Sequence, residues 1–160
     1  MADTISITTI ATNISNLTIT VTKPDGTSGN LAIKDISALP EAVHPQDCPM
    51  LAPRPDNFLT GFALSHESFG GDAGLKDVRY TLNYMLYYAP ISQGLSLFSL
   101  YDEMVSCAAA VELYLADHSQ SIGYDVILGS IPRFGVVLDV AGSAFHGCEI
   151  SINVHQFMEA

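Results

Sequence analysis

The sequence predicts an α+β domain in which a mixed, mainly antiparallel sheet carries a long amphipathic helix on one face. Three observations predict this class. Apolar residues alternate with others along 78–88, which is typical of a long strand. A helical spacing of apolar residues follows over 97–115, and three shorter alternating segments come after it. The 160 residues, 48% of them hydrophobic, suffice for one domain with its own core.

The N-terminal part of the chain predicts a helix and then a hairpin. Apolar residues spaced by three and four over 7–17 predict the helix, although the branched side chains there disfavour one. Alternating residues follow, and Pro24, Asp25 and Gly26 have the chemistry of a tight turn. We therefore expect a hairpin arm at 17–36.

Two irregular segments are predicted next. Residues 37–57 include five prolines, which remove backbone donors, so we expect an extended arm there rather than a helix or a central strand. A strand is predicted over 58–66. Closely spaced glycines then predict a flexible loop at 66–76.

The long strand and the long helix should form most of the core. Every even-numbered residue of 78–88 is apolar, so we expect one buried face and one mixed face. Ser99 is the predicted N-cap of the helix, with Asp102 and Glu103 close behind it. These adjacent carboxylates point about 100° apart on a helix, so they cannot share a substrate.

The C-terminal part predicts a three-strand meander. Its strands are expected at 124–128, 134–140 and 148–154, and Gly147 stands where a β-bulge is natural. Asp139 is expected within the second strand, away from the apolar register, where it needs no catalytic role.

Charge restricts the classes of partner. The net charge is −11, from 17 acidic and 6 scattered basic residues, which disfavours tight binding to nucleic acid or anionic lipid. Only 14% of the residues are charged, against about 25% in a typical domain. So few charges indicate that part of the surface contacts other protein.

The cysteines and the apolar stretches predict a protein of the cytoplasm. There are three cysteines, widely separated and without a CxxC pair, which is typical of reduced thiols. The first ten residues lack a basic segment and a continuous apolar segment, so we expect no signal peptide. No apolar stretch reaches 18 residues, so we expect no membrane span.

We find no pattern that predicts a catalytic, metal or cofactor site. The pairs His44 with Cys48 and His146 with Cys148 offer possible zinc ligands, but the spacing matches no zinc motif, and buried thiols are the simpler interpretation. Cys107 lies in mid-helix beside alanines, where nothing would lower its pKa. Five tyrosines suggest a ligand pocket or, more simply, core and interface packing: Tyr80, Tyr84, Tyr87, Tyr88 and Tyr101.

Several short stretches carry a family resemblance. They are DCPML at 47–51 followed by Pro53, YTL at 80–82, YAPISQG at 88–94, FGVVLD at 134–139 followed by Gly142, and FHGCEI at 145–150. In composition and order, over roughly residues 40–157, they resemble tail terminator (tail completion) proteins of bacteriophages with long, non-contractile tails.

The resemblance implies an α+β subunit, without enzymatic activity or cofactor, that forms a homo-oligomeric ring, typically a hexamer. Such a ring caps the head-proximal end of the tail tube and stops its polymerisation. It also docks the head-completion or connector protein, and DNA passes through its lumen without specific binding. The protein would then be a virion component assembled in the host cytoplasm, with no membrane partner.

We expect contacts with the tube or with a neighbouring subunit at two places. The first is the hairpin tip, at Pro24, Asp25 and Gly26. The second is the glycine-rich loop, whose candidate residues are His66, Glu67, Ser68, Phe69, Gly70, Gly71, Asp72 and Gly74.

Other functions stay open at this point. The nearest is another ring of the same tail or neck, either a tube protein or a head–tail connector. More remote are a small metal- or thiol-dependent enzyme and a ligand-binding domain with a tyrosine-lined pocket.

Overall fold

The computed structural model describes residues 7–39, 42–67, 75–91, 97–118, 125–128, 133–139 and 141–159. Within them the fold is α+β, with a two-stranded and a seven-stranded sheet. The α-helices are α1 (Ile7–Ser15) and α2 (Leu97–Asp117), and short 3-10 helices lie at Ile36–Ala38 and Pro45–Asp47. The strands are β1 (Thr20–Thr22), β2 (Ser28–Asn30), β3 (Ala32–Ile33), β4 (Met50–Pro53), β5 (Leu59–Glu67), β6 (Leu75–Pro90), β7 (Asp125–Leu128), β8 (Arg133–Leu138) and β9 (Ala144–Glu159).

The larger sheet is built on the antiparallel pair of its two longest strands, β6 and β9. On the outer side of β6, β5 pairs with the first half and β4 with the second half. On the outer side of β9, β8 pairs with the first half and β7 with the second half. The sheet is mixed because β3 lies parallel to β4.

The predicted three-strand meander is wrong. β7 and β8 each pair with β9 and not with each other. The reason is length: β9 has 16 residues, so two short strands fit end to end along one of its sides.

The main core lies on one face of the central pair. The predicted period of two is confirmed, because the even-numbered residues of β6 from Val78 to Tyr88 are all buried. The even-numbered residues of β9 from Cys148 to Val154 continue the same apolar cluster. Two helices contribute to it: α1 through Ile10 and Ile14, and α2 through Met104, Cys107, Ala108, Val111 and Leu115.

α2 begins earlier than predicted. It starts at Leu97, so Ser99 lies inside the helix and is not its N-cap. Asp102 and Glu103 consequently lie in the second turn, and the first turn holds no acidic residue. Among the described residues, no helix is long and apolar enough to cross a membrane.

The expectation that 37–57 excludes a central strand is wrong. β4 lies between β3 and β6, and all four of its residues are buried. Pro49 precedes this strand and Pro53 ends it, so the backbone N–H groups between them remain available for pairing. The other described residues of the segment form the two 3-10 helices and irregular backbone.

This arm covers part of the opposite face of the sheet. A second apolar cluster there consists of Val43, Met50, Ala52, Met85, Tyr87 and Phe145. Leu39, Cys48 and Val137 pack against it. The sheet is therefore covered on both faces at the end where β4 and β8 lie.

The loop predicted at 66–76 is shorter than expected. His66 and Glu67 end β5, where they pair with Lys76 and Leu75 at the start of β6. Residues 68–74 lie outside the described residues.

The bulge expected near Gly147 lies on the strand opposite it. Tyr87 faces Gly147 and Ala89 faces His146, so Tyr88 is the extra residue in β6. A Cβ atom on residue 147 would clash with the carbonyl oxygen of Leu86. Gly147 is thus required by the close approach of the two backbones.

Candidate functional site

The described surface exposes large apolar side chains in three places, and these are the candidate contact surfaces. We call Leu59, Phe62 and Leu64 the β5 edge, and Val136 and Leu138 the β8 edge. The third group lies on α2 and consists of Tyr101, Val105 and Leu113. Leu64 is 58% exposed and Val136 is 63% exposed, although both belong to strands of the seven-stranded sheet.

The β5 edge extends the main core outward. Leu64 lies opposite Val78, and Leu59 lies opposite Leu82. Val78 and Leu82 are fully buried. Between them, the Phe62 ring stacks on Tyr80 with 6.3 Å between ring centroids. A register shift after Thr60 makes room for the extra residues.

The β8 edge extends the same face of the sheet on the other side. Phe134 lies opposite Cys148 of the main core and packs against that core. Its ring is also 6.1 Å from that of Tyr101 on α2. Val136 follows two residues later on the same face, opposite the buried His146.

The opposite face of the central pair is polar beside β5. Arg79 faces His155, Thr81 faces Asn153 and Asn83 faces Ser151 across the two strands. The Thr81 hydroxyl donates to Asn153 Oδ1 at 2.7 Å, and the Ser151 hydroxyl donates to Asn83 Oδ1 at 2.8 Å. The sequence predicted only that this face is mixed.

Asn83 ties this polar row to the segment before β5. Its side-chain amide donates to the Asn57 carbonyl oxygen at 3.0 Å and to the Thr60 hydroxyl at 2.9 Å. Its backbone N–H donates to the Phe58 carbonyl oxygen at 2.8 Å. Asn83 is 4% exposed, and these bonds satisfy its buried polar groups.

Charged side chains lie at both ends of the polar row. At one end Arg54 forms ion pairs with Glu149 at 2.8 Å and with Asp56 at 3.0 Å, and the pair with Glu149 is half-buried. Arg54 and Glu149 line a groove of about 740 Å³ that runs to β8. Hydrogen bonding to Arg54 lowers the pKa of Asp56.

At the other end Asp77 forms ion pairs with Arg79 and His155. Burial tends to raise the pKa of Asp77, but the hydrogen bonds from Arg79 and His155 outweigh it, so this pKa is lowered. The Asp77 carboxylate is therefore the favoured form in the folded protein.

Asp139 is a structural residue that the sequence interpretation misplaced. β8 ends at Leu138, so Asp139 begins a turn rather than lying within a strand. It is 7% exposed, and its carboxylate accepts from Ser143 N at 2.7 Å and from Val43 N at 3.0 Å. The second bond fixes the proline-rich arm to the turn before β9.

A local signal for this turn was present in the sequence. Asp139 and Gly142 occupy the first and fourth positions of a β-turn, which these residue types favour. Gly142 N indeed donates to the Asp139 carbonyl oxygen at 3.1 Å. No sequence signal pointed to Val43 as the partner, 96 residues away.

At the hairpin tip Asp25 and Gly26 are exposed, Pro24 is half-buried, and local hydrogen bonds form the turn. Asp25 Oδ1 accepts from the Thr27 hydroxyl at 2.6 Å and from Thr27 N at 3.0 Å, and these bonds lower the pKa of Asp25. Gly26 takes a φ of 85° and donates its N–H to Lys23 O at 2.9 Å. Pro24, Asp25 and Gly26 thus lie in a hydrogen-bonded turn that joins β1 to β2.

No described contact joins the hairpin tip to the other predicted contact residues, which are His66, Glu67 and six residues after them. His66 and Glu67 lie in β5, and the remaining six (Ser68, Phe69, Gly70, Gly71, Asp72 and Gly74) lie outside the described residues.

The possible zinc ligands are separated by the sheet. Cys148 belongs to the main cluster, and Cys48 packs against the cluster on the opposite face. His44 is exposed, whereas His146 is 6% exposed. Within the described ranges, no group of three or more His, Cys, Asp or Glu side chains is close enough to hold a metal ion.

The thiols are all poor nucleophiles in this structure. Burial raises the pKa of Cys107 and Cys148 to about 12, and burial together with the nearby Asp47 does the same for Cys48. At neutral pH these side chains are overwhelmingly protonated.

Comparison with known proteins does not identify the chain. No protein-family model matches it, and no curated protein is significantly similar to it.

Proposed function

We propose that this chain is a structural protein of a phage virion, a tail terminator that forms a ring at the head-proximal end of the tail tube. The observation that carries the proposal is the apolar surface at both outer strands of one sheet, the β5 edge and the β8 edge. Monomeric proteins usually protect outer strands with charge and expose few contiguous apolar patches. Such a surface supports a protein that works inside an assembly.

The sequence resemblance supports the particular kind of assembly. In the proposed ring of six copies, one face binds the last ring of the tail tube protein and ends its polymerisation. The other face binds the head-completion or connector protein. The net charge of −11 suits a lumen through which DNA slides, because acidic side chains do not hold phosphates.

Within the proposed subunit, α2 acts as the long amphipathic helix on one face of the sheet. Its burial of Met104, Val111 and Leu115 in the main cluster supports this role. Asp102 and Leu113 lie on its exposed side, where they are free to contact other proteins of the particle.

We place contact with the tube or a neighbouring subunit at the hairpin tip and at the 66–74 segment. The hydrogen-bonded turn, in which Asp25 and Gly26 are exposed, supports the first location. The second location is supported by sequence alone.

A different ring of the tail or neck is the second candidate, because uncovered sheet edges suit any protein that joins copies of itself. A tube protein polymerises into long filaments, whereas a terminator stops at one ring or remains monomeric. The thiol-enzyme alternative is disfavoured by the raised pKa values of the cysteines.

Tube growth in vitro tests the proposal. Tail tube protein is polymerised with and without the purified chain, and tube lengths are measured by electron microscopy. We expect short tubes that each end in one extra ring. Tubes whose length does not respond to the chain would contradict the proposed function.

Deletion of residues 70–74 sharpens this test. We expect the deletion variant to form rings as the wild type does and to leave tube growth unchecked. The matched control is Asn30→Ala, an exposed change away from the hairpin tip, which should limit tubes normally. Normal tube length with the deletion variant would contradict the role given to the loop.

A further inference from the structure

We infer that neighbouring copies of this chain join by pairing the β8 edge of one copy with the β5 edge of the next. The large sheet then continues from subunit to subunit. This inference rests on the proposed ring and names the surface that closes it.

Both edges are open to a further strand. In the part of the chain that the structure describes, β5 pairs only with β6, and β8 pairs only with β9. Residues 59–65 and 134–138 contain neither a charged residue nor a proline. Natural sheets use such residues to block unwanted strand pairing. The charged residues of the two strands are Glu67 at the end of β5 and Arg133 at the start of β8, and because their charges are opposite they favour pairing between unlike edges.

The two edges also match in length. The register of β5 is regular from Ala63 to Glu67, and that of β8 is regular from Arg133 to Leu138. Five and six residues are ordinary lengths for paired strands.

The exposed side chains of both edges belong to the same face of the sheet. Leu64 lies opposite Val78, which is in the main core. Val136 lies opposite His146, which the period of two places on the same face as Cys148 of that core. Joining the edges therefore brings Leu64 and Val136 together and extends one apolar layer across the boundary between subunits.

Strand direction favours pairing between the two different edges. β5 is antiparallel to β6, β6 to β9, and β9 to β8, so β5 and β8 run in opposite directions. A copy placed beside the first in the same orientation thus continues the antiparallel alternation. Contacts between unlike edges repeat in one direction, and they form a ring when the rotation closes.

The pairing also requires a stagger along the strands. When Leu64 faces Val136 of the next copy, Ser65 faces Gly135. Within one copy, Ser65 is level with Phe157 of β9 through Asp77, whereas Gly135 is level with Gly147 of β9. Neighbouring copies are therefore offset by about ten residues along β9, or ~33 Å at 3.3 Å per residue. A closed ring accommodates such an offset through strands that are strongly tilted against the ring axis.

Sedimentation of two edge variants of the full chain tests the inference. Leu64→Lys blocks the β5 edge and Val136→Lys blocks the β8 edge. Lysine reduces the net negative charge, so weaker association cannot come from general repulsion. Thr8→Lys on α1 is the matched control, because Thr8 is exposed and belongs to none of the three apolar surfaces. Circular dichroism and urea unfolding verify that each variant is folded.

We expect the wild type and Thr8→Lys to form closed oligomers, and each edge variant alone to be monomeric. An equimolar mixture of the two edge variants should form 1:1 dimers, because one intact β5 edge and one intact β8 edge remain between them. A dimer of either variant alone would mean that like edges pair, and would overturn the inference. It would also be overturned by a monomeric wild type, by edge variants that assemble normally, by a mixture that stays monomeric, or by a control that also fails to assemble.

These outcomes separate the inference from the proposed function. Rings that form through the edges but leave tube length unchanged would contradict the tail terminator function alone. Edge variants that still assemble and still stop tube growth would contradict the edge pairing alone.

Discussion

The two faces of the β6–β9 pair differ in the interactions that stabilise them. On the face of the main core, Leu82, Tyr84 and Ile150 are fully buried in one continuous apolar cluster. On the opposite face, the half beside β4 is covered by the proline-rich arm, and the half beside β5 carries polar cross-strand pairs.

This difference teaches that the face of the main core is stabilised by burial along its length, whereas the other face is stabilised by burial beside β4 and by specific hydrogen bonds beside β5. Burial is proportional to the apolar area removed from water and depends little on geometry. Hydrogen bonds contribute less each and depend on distance and direction. Substitutions on the two faces are compared through the free energy of unfolding, measured with urea at one protein concentration because assembly would add to it.

The largest effect should come from a substitution in the main core. Leu82→Ala removes a fully buried side chain, so we expect the free energy of unfolding to fall by ~3 kcal/mol. Leu59 lies directly opposite Leu82 and is 40% exposed, so Leu59→Ala should cost less than ~1 kcal/mol. Equal losses in the two variants would contradict the location of the core.

The next effect should come from the anchor of the arm. Asp139→Ala leaves the Val43 and Ser143 N–H groups without their acceptor, and we expect a loss of ~2 kcal/mol. Asp56→Ala, which removes an exposed carboxylate, is the control and should cost at most ~0.5 kcal/mol. If the two variants were equally stable, Asp139 would not be holding the arm.

A smaller effect is expected in the polar row. Asn83→Ala removes three side-chain hydrogen bonds. Two of the residues that lose a partner, Asn57 and Thr60, are exposed, so water can take the place of the Asn83 amide there, and we expect a loss of ~1 kcal/mol. Hydrogen exchange of the Asn83 amide, which donates to Phe58 O, should accelerate at the same time. A loss as large as that of Leu82→Ala would remove the distinction between the faces.

The smallest effect is a dependence on pH. The pKa of Asp77 is lowered in the folded protein. The contribution of its carboxylate to the free energy of unfolding is therefore complete above the ordinary pKa of 3.8 and disappears as pH falls through the lowered value. Asp77→Asn should therefore lose slightly less stability than the wild type between pH 5 and pH 2. Identical pH profiles would show that Asp77 keeps its ordinary pKa.

The sequence was informative where one local pattern decides the structure. The period of two in β6 and the spacing of three and four in α1 predicted which side chains are buried there. Prolines misled because Pro49 and Pro53 border β4 and leave its inner N–H groups free. Asp139 was misplaced although its turn with Gly142 had a local signal, and only its bond to Val43, 96 residues away, had none.

The candidate site was less predictable than the fold. The exposure of Leu64 and Val136 depends on their strands lying outermost, and strand order is set by long-range pairing that alternation does not encode. The hairpin tip was predictable because Pro24, Asp25 and Gly26 determine their own turn.

Electron microscopy of the purified chain mixed with isolated tails tests the central claim most directly. We predict one annular density at the head-proximal end of each tail and none along the shaft. Tails without added density, or with density repeated along the shaft, would contradict it.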